Sequence, residues 1–416
     1  MPLPGSAPAG EFMRKLALLA CTAALIAASC TSATPHAQPS KSPTPAGPEH
    51  FTVAVDATPQ TVSYNGSPVV VPLVADLFFP SSLSVHPGDV VTFVEQSSGE
   101  VHTVTLGTLI DQSAPALGPG GVLPSPSRGA PPPTGAAAVA AQIPNIFPAG
   151  FPASRADAVA SAAEPCFLNT GVPPPTGPCP QVGQPAFTGS QAFYNSGWLP
   201  PGSSFTVTVS ATTPPGTYQF RDLAHPAMTG RLQVVPAAEL VPPPSQVAAT
   251  GAAQLQAAAL AQAPAAAEAA TVTSTVVAGI TEVGVTGTFV AAFGPPTLTV
   301  TAGQSVGWNV YGDQALAIGP PPGAAGLLTR AANGTVHFNT TLINHAGGFA
   351  GPAGAPPRPE TVNGGTYTNT GFHNSGLLVS VAPNLITYTL RFADPGTYTV
   401  QSLTYPSMTQ TLNVVP

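Results

Sequence analysis

Charged side chains are scarce in this chain. They make up 6% of its 416 residues, with 10 Lys or Arg against 17 Asp or Glu, and the formal net charge is -7. Proteins that bind nucleic acid concentrate positive charge on one surface, because phosphate groups dominate the affinity. This sequence has no basic cluster beyond Arg14-Lys15. The composition therefore argues against DNA or RNA as a partner.

The sequence also lacks the motifs that mark common enzyme chemistry. It contains no Gly-x-Ser-x-Gly elbow, no His-Glu-x-x-His helix and no glycine loop of the type that cradles phosphate. Acidic residues, which general acid and base catalysis uses in pairs, are few. We therefore predict that the chain is not an enzyme.

Proline and glycine, in contrast, are abundant, with 53 and 42 residues. Together with the low charge, this composition is typical of turns, extended strands and long loops rather than of surface helices. It predicts an all-β protein with long Pro/Gly/Ala-rich insertions.

The N-terminus has the features of a bacterial export signal. A basic start at Met13-Arg14-Lys15 precedes the apolar stretch 16–28, which is too short to span a bilayer as a helix. The segment Ala27-Ala28-Ser29-Cys30 resembles the lipobox of bacterial lipoproteins, in which the cysteine receives a diacylglycerol. We predict a signal peptide over residues 1–30, lipidation of Cys30 and a flexible stalk over residues 31–50. The alternative is an ordinary secretory signal, which would leave the protein secreted.

Cysteine usage agrees with export. Cys21 lies in the signal and Cys30 in the lipobox, which leaves Cys166 and Cys179 in the exported chain. Disulfides form in extracytoplasmic compartments, and we predict that these two residues pair. In the chain-entropy model, closing so short a loop stabilises the folded chain by about 3 kcal/mol. The alternative is a pair of free thiols.

The second half of the chain repeats the first. Segments of the first half recur in the second as three matched pairs: 193–199 with 372–378, 215–218 with 395–398, and 232–236 with 412–416. Upstream, residues 83–93 match residues 298–308. Apolar and polar residues alternate between Pro-Gly turns, which predicts the half-buried strands of a sandwich.

The repeat predicts the domain organisation. We place one β domain at residues 51–236, with an insertion at about 107–190, and a second at residues 271–416. An Ala-rich linker joins them over residues 237–270, where Ala252 to Ala263 also has the propensity to form a helix.

The first copy resembles a cupredoxin, the plastocyanin-like Greek-key β-sandwich. Two segments carry the resemblance: Pro87 to Phe93 followed by Glu100-Val101-His102-Thr103-Val104, and Pro215 to Phe220 followed by His225-Pro226-Ala227-Met228. In that family the His before Thr-Val is a copper ligand, and a Cys-x-x-His-x-x-Met loop supplies the other three. The resemblance implies two cupredoxin-like Greek-key domains and a copper site that includes His102, His225 and Met228.

The expected cysteine of that loop is missing. Asp222 stands three residues before His225, where the family has its thiolate. A carboxylate is a harder ligand, which favours Cu(II) without the strong charge-transfer band of blue copper. The set His102, Asp222, His225 and Met228 suits Cu(II), or Zn(II) with the methionine left out. The alternative is a metal-free loop in which Asp222 pairs with Arg221 or His225.

The second copy retains less of the ligand set. The repeat places Leu316 or Ala317 at the position of His102 and Ser402 at that of Asp222. It places Tyr405 at the position of His225 and Met408 at that of Met228. A lone methionine near the end of a sandwich usually serves packing. We therefore predict that the second copy is a cupredoxin-like domain without metal.

Two functions follow from the resemblance. Multicopper oxidases also string cupredoxin domains together, but they need His-x-His pairs, and none of the eight histidines here forms one. The first function is an exported lipoprotein, anchored to the bacterial cell membrane, that binds Cu(II) for copper handling or electron transfer. The alternative is a metal-free structural or interaction lipoprotein. Either would meet an envelope protein partner through surface loops.

Overall fold

The structure is a computed structural model. It describes residues 47–97, 99–100, 102–113, 185–191, 194–196, 199, 201–222, 225, 228–273, 275–319, 328–330, 336–338, 360–380 and 385–416. The predicted signal peptide, lipidated Cys30 and the pair Cys166 and Cys179 lie outside the described residues, as does most of the predicted stalk. Residues Gly47–Pro416 form one compact unit.

The first copy is a sandwich of two sheets. Its described elements are β1 (His50–Val55), β2 (Gln60–Tyr64), β3 (Ser67–Val71), β4 (Leu73–Ala75), β5 (Phe78–Phe79), β6 (Ser82–Val85), β7 (Val90–Glu95), β8 (Thr105–Leu106), α1 (Thr108–Ser113), β9 (Tyr194–Asn195), β10 (Ser204–Thr208), β11 (Gly216–Arg221) and β12 (Thr229–Val234). One sheet has the order β10-β7-β1-β5 and the other β6-β12-β11-β8-β9. Strands β1 and β7 run parallel, as do β6 and β12. Neighbouring strands therefore come from distant parts of the chain.

The second copy repeats this order strand for strand. Its described strands are β13 (Val277–Ile280), β14 (Thr288–Gly294), β15 (Thr297–Thr301), β16 (Ser305–Val310), β17 (Gly312–Gln314), β18 (Leu316–Ile318), β19 (Leu328–Arg330), β20 (Val336–Phe338), β21 (Glu360–Tyr367), β22 (His373–Asn374), β23 (Leu378–Ser380), β24 (Ile386–Phe392), β25 (Gly396–Ser402) and β26 (Thr409–Val415). Its sheets contain the orders β24-β16-β13-β14 and β15-β26-β25-β18-β22, with β21 outside β24. The predicted fold class, two β-sandwiches, is confirmed. The domain boundaries stay a prediction.

Alternating side chains fill the inside of each sandwich. In β7, Val91 and Phe93 are buried, and in β16 Val306 and Trp308 take the same places. Nε1 of Trp308 donates a hydrogen bond to Oε1 of Gln410 at 2.8 Å, so the polar atom of the buried indole has a partner. The period-two pattern thus decides which face of each strand packs inward.

The two copies share one sheet. Strand β4 of the first copy pairs antiparallel with β14 of the second, with Ala75 opposite Thr288 and Leu73 opposite Val290. The second copy's sheet therefore reads β21-β24-β16-β13-β14-β4. A strand from one copy covers the edge of the other, and this pairing satisfies backbone groups that an open edge would expose.

The Ala-rich segment between the copies is a helix, α2 (Pro244–Thr271). Its buried face consists mostly of small residues, and among these Ala259 and Ala263 pack in a cluster with residues of β2 to β5 and β14. Buried Gln262 donates from Nε2 to the carbonyl of Thr288 at 2.8 Å. The helix therefore packs on both copies. Neither helix in the described part of the chain is long and apolar enough to cross a membrane.

Candidate metal centre

The predicted ligands His102, Asp222 and His225 meet at one end of the first sandwich. His102 precedes β8 and bridges to Leu199, while Asp222 directly follows β11. The amide of Asp222 donates to the carbonyl of Met228 at 3.0 Å, and the amide of Met228 donates to the carbonyl of His225 at 2.8 Å. These bonds fold the loop back on itself and place His225 beside Asp222.

Both imidazoles contact the same carboxylate oxygen. Nδ1 of His102 lies 2.8 Å and Nδ1 of His225 lies 2.7 Å from Oδ2 of Asp222. The other oxygen, Oδ1, accepts hydrogen bonds from the amide and the hydroxyl of Thr103, both at 2.9 Å. Asp222 is fully buried. Oδ1 therefore holds the carboxylate in place, and Oδ2 orients both rings.

The fourth predicted ligand has a different environment. Met228 is fully buried in the apolar core of the first copy, in one cluster with Phe220 and Leu232. Arg221, an alternative partner for Asp222, is buried, and its Nε and Nη1 make no hydrogen bond to the described residues. Burial lowers the pKa of Arg221 to about 10. Asp222 pairs with the two imidazoles.

The opposite nitrogens of the two rings face further carboxylates. Nε2 of His102 lies 3.4 Å from Oδ2 of Asp56 and 3.9 Å from Oε2 of Glu100. Nε2 of His225 lies 3.2 Å from Oε1 of Glu100 and 4.0 Å from Oδ2 of Asp313. Glu100 thus lies between the imidazoles, and the second copy supplies Asp313.

This end of the sandwich carries an excess of negative charge. Two imidazoles face a set of carboxylates that we call the acidic cluster: Asp56, Asp76, Glu95, Glu100, Asp222 and Asp313. Burial raises the pKa of Asp76 to about 7 and that of Glu95 to about 7. Carboxylates that share a buried site disfavour one another's ionised forms, and a cation relieves that repulsion.

The imidazoles are correspondingly easy to protonate. Burial would lower the pKa of His102, but the charge of Glu95 and the hydrogen bonds to Asp222 raise it well above its usual range. Burial would likewise lower the pKa of His225, but the charges of Asp76 and Glu100 raise this pKa well above its usual range. Burial would also raise the pKa of Asp222, but the charge of His225 and both imidazole hydrogen bonds lower it strongly.

The second copy aligns with this loop through equivalent backbone bonds. The two bonds that link residues 222, 225 and 228 recur in the second copy, where the amide of Ser402 donates to the carbonyl of Met408, and the amide of Met408 donates to the carbonyl of Tyr405. Ser402, Tyr405 and Met408 therefore occupy the positions that the sequence predicts for them.

The prediction that Leu316 or Ala317 corresponds to His102 is wrong. His102 bridges to Leu199, and in the second copy it is Gln314 that pairs with Leu378 in β23. Gln314 therefore occupies the position of His102, two residues before the predicted residues 316–317. The connection upstream of this position differs between the copies, so an alignment by sequence slips here. Gln314 is fully buried, with its Nε2 donating to the carbonyl of Tyr311 at 3.2 Å.

Sequence reasoning missed most of the acidic cluster. Asp56, Asp76 and Glu95 each directly follow an apolar run in a chain with only 17 acidic residues, and that scarcity is the signal that points to them. Tyr405 was expected only as a replaced ligand. Its hydroxyl instead donates to Oε1 of Glu100 at 3.0 Å. Burial and the charge of Glu100 raise the pKa of Tyr405 well above its usual range, so it remains a donor.

Several solved copper proteins are similar in structure. Auracyanin from Roseiflexus castenholzii shares 17% identity over 46% of this chain and 100% of its own, with a TM-score of 0.22. The resemblance to cupredoxins that the sequence predicts is thus also found among solved structures. The chain also matches a blue copper oxidase from Nitrosomonas europaea, at 13% identity over 88% of this chain and 86% of that one, with a TM-score of 0.17. No family model and no characterised protein sequence matches it.

The prediction that the chain is not an enzyme is corrected by the same comparison. Besides the copper oxidase, the similar structures include a Cu-containing nitrite reductase from Thermus scotoductus, at 12% identity over 89% of this chain and 68% of that one, with a TM-score of 0.18. Enzymes thus stand among the similar structures, and the exclusion of enzymatic activity was wrong. With TM-scores this low, no activity or residue role is transferred to this chain.

Proposed function

We propose that the chain is an exported copper-binding protein whose Cu(II) ligands are His102, Asp222 and His225. One observation carries the proposal: the Nδ1 atoms of both imidazoles contact the same oxygen of Asp222, at 2.8 and 2.7 Å. The three ligand atoms lie within 4.8 Å of one another. Two nitrogens and a carboxylate oxygen form a donor set that suits Cu(II).

The electrostatics support a cation at this place. The acidic cluster outnumbers the two imidazoles, and buried carboxylates without a partner cost several kcal/mol each, on the order of magnitude found for buried ions. A divalent ion would replace the protons that the imidazoles otherwise hold against Asp222. Bound copper would supply one-electron chemistry. The chain's own part is to hold both rings, through Asp222 and Thr103, in a buried site.

The cellular setting belongs to the same proposal. Residues 1–30 would direct export, and the lipid on Cys30 would hold the protein on the outer side of the cell membrane, where it would meet an envelope protein partner. The sequence Ala27-Ala28-Ser29-Cys30 supports this. Metabolic labelling with a radioactive fatty acid should mark the wild-type chain and not Cys30→Ala. Labelling of both chains, or of neither, would contradict the anchor.

A copper titration tests the site. We expect one Cu(II) per chain with nitrogen hyperfine structure in electron paramagnetic resonance, and loss of this signal in His102→Ala and in His225→Ala. His373→Ala is the matched control, because His373 lies in the second copy and bonds Tyr388 at 2.9 Å. If the wild type binds no more copper than the two variants, the metal-free alternative, a structural or interaction protein, takes its place.

A further inference from the structure

Four buried polar atoms make no hydrogen bond to the described residues: Oδ2 of Asp56, Oε2 of Glu95, Oε2 of Glu100 and Nε2 of His102. The exposed fractions of these residues are 1%, 1%, 6% and 0%, in that order. Two of the oxygens face Nε2 of His102, that of Asp56 at 3.4 Å and that of Glu100 at 3.9 Å. Native proteins pair nearly all such groups, because an unpaired one costs about 1–3 kcal/mol, and more when it is charged. Two carboxylate oxygens that face one ring nitrogen without a hydrogen bond therefore point to a missing partner.

We propose that these atoms bind a second divalent cation, on the Nε2 side of His102. The ligand atoms of Asp56, Glu100 and His102 lie within 4.8 Å of one another. The charges of Glu95 and His102 act on each other. Two or three carboxylate oxygens with one imidazole nitrogen form a hard donor set. Such a set suits Mn(II) better than copper.

Each carboxylate is held in place through one of its two oxygens. Oδ1 of Asp56 accepts from the amides of Ala57 and Ala75. Oε1 of Glu95 accepts from the amide of Ser97 at 2.7 Å. Oε1 of Glu100 accepts from the Tyr405 hydroxyl. In all three residues the other carboxylate oxygen makes no hydrogen bond to the described residues. These bonds orient the ligands in advance, as the surroundings of metal sites usually do.

His102 is oriented for the same purpose. Its Nδ1 lies 2.8 Å from Oδ2 of Asp222. A histidine that binds metal usually donates its other ring N–H to a carboxylate, which fixes the tautomer and leaves Nε2 as the ligand atom. Copper bound at Nδ1 would displace this proton, so the second site forms in the copper-free chain, and it goes beyond the proposed function.

A path to solvent exists beside the second site. Whereas His102 is fully buried, the side chains of His225 and Asp313 are 13% and 26% exposed. Nε2 of His225 lies 3.2 Å from Oε1 of Glu100 and 4.0 Å from Oδ2 of Asp313. An ion can therefore enter along the junction between the two copies, where Asp313 adds negative charge.

Mn(II) titration of the full chain tests the proposal. Binding removes the sharp resonance of aqueous Mn(II), and we expect one ion per chain. Asp56→Asn and Glu100→Gln keep the side-chain shape and remove a ligand charge, and each should weaken Mn(II) binding by at least about tenfold. Asp394→Asn, an exposed residue of the second copy, is the control and should bind as the wild type does.

The outcomes separate the two sites. A wild-type chain that binds Cu(II) through two nitrogens but takes up no Mn(II) overturns the second site and leaves the proposed function intact. Mn(II) uptake without the copper signal overturns the proposed function and leaves the second site intact. Equal Mn(II) affinity in the wild type, Asp56→Asn and Glu100→Gln also overturns the second site, with circular dichroism showing that both variants are folded.

Discussion

Tyr405 donates its hydroxyl to Oε1 of Glu100 at 3.0 Å, although 305 residues separate the two in sequence. Tyr405 occupies in its own copy the position that His225 occupies in the first. The loop of the second copy that contains Tyr405 thus holds a carboxylate of the first copy, Glu100. This contact makes the second copy part of the candidate metal centre.

The Tyr405 hydroxyl should contribute measurably to stability. Tyr405→Phe removes the donor and leaves Oε1 of Glu100 without this bond, so we expect a loss of about 1.5–3 kcal/mol in the free energy of unfolding. Tyr218→Phe is the control, because the Tyr218 hydroxyl bonds the carbonyl of Pro214 in an exposed setting. Urea unfolding of the metal-free protein measures both. Equal losses in the two variants would contradict the buried role of the Tyr405 bond.

A thiolate at position 222 should colour the protein. Asp222→Cys places a soft ligand between the two Nδ1 atoms, and we expect intense visible absorption with Cu(II) that the wild type lacks. Asp222→Ser, which offers no thiolate, is the control. Visible spectra after addition of one equivalent of Cu(II) decide the matter. A Cys variant that binds copper and stays colourless would show that position 222 does not face the ion.

The close approach of helix α2 to the first copy can be tested at Gly251. A Cβ on Gly251 would lie 2.9 Å from the carbonyl carbon of Phe79 and 2.9 Å from the nitrogen of Pro80. Alanine normally stabilises a helix by about 1 kcal/mol relative to glycine. Here the clash with backbone should dominate, and Gly251→Ala should destabilise the chain by about 1–3 kcal/mol.

Thermal unfolding measures the effect of Gly251→Ala. Thr250→Ala, at the neighbouring exposed position of the same helix, is the control and should leave stability unchanged or slightly higher. A rise in melting temperature for both variants would mean that α2 does not approach residues 79–80 this closely.

Buried Gln262 should hold α2 to the second copy. Its Oε1 accepts from the amide of Glu282 at 3.0 Å, and its Nε2 donates to the carbonyl of Thr288 at 2.8 Å. Gln262→Ala removes the partner of the Glu282 amide, whereas the carbonyl of Thr288 keeps a bond from the Thr281 hydroxyl at 3.1 Å. We expect a loss of about 1–3 kcal/mol in the free energy of unfolding. Gln256→Ala, on the exposed face of the helix, should change it by less than about 0.5 kcal/mol.

The sequence predicts the features that depend on local pattern. Alternation and Pro-Gly turns predict the strands, and the repeat predicts two sandwiches. The positions of Asp222 and His225 follow from one short loop. Gln314 could not be matched to His102 in the same way, because only backbone pairing aligns the two copies there.

The rest of the centre depends on tertiary packing. Asp56 follows β1, and Asp313 comes from the second copy, so no spacing along the chain relates them to His102. Only the docking of the copies brings Asp313 to His225 and Tyr405 to Glu100. The exclusion of enzymes rested on the absence of familiar motifs, and enzymes nevertheless stand among the similar structures.

The shared pairing of β4 with β14 has a consequence for how the chain is made. Synthesis proceeds from the N-terminus, and early segments begin to fold while later ones are still missing. Strand β4 leaves the ribosome long before β14 exists, so it must wait with one edge open to unrelated chains. A protein truncated at the repeat boundary would lack β14, and this edge of β4 would stay unpaired. Truncation to the first copy should therefore favour self-association, and the smallest well-behaved unit is the pair.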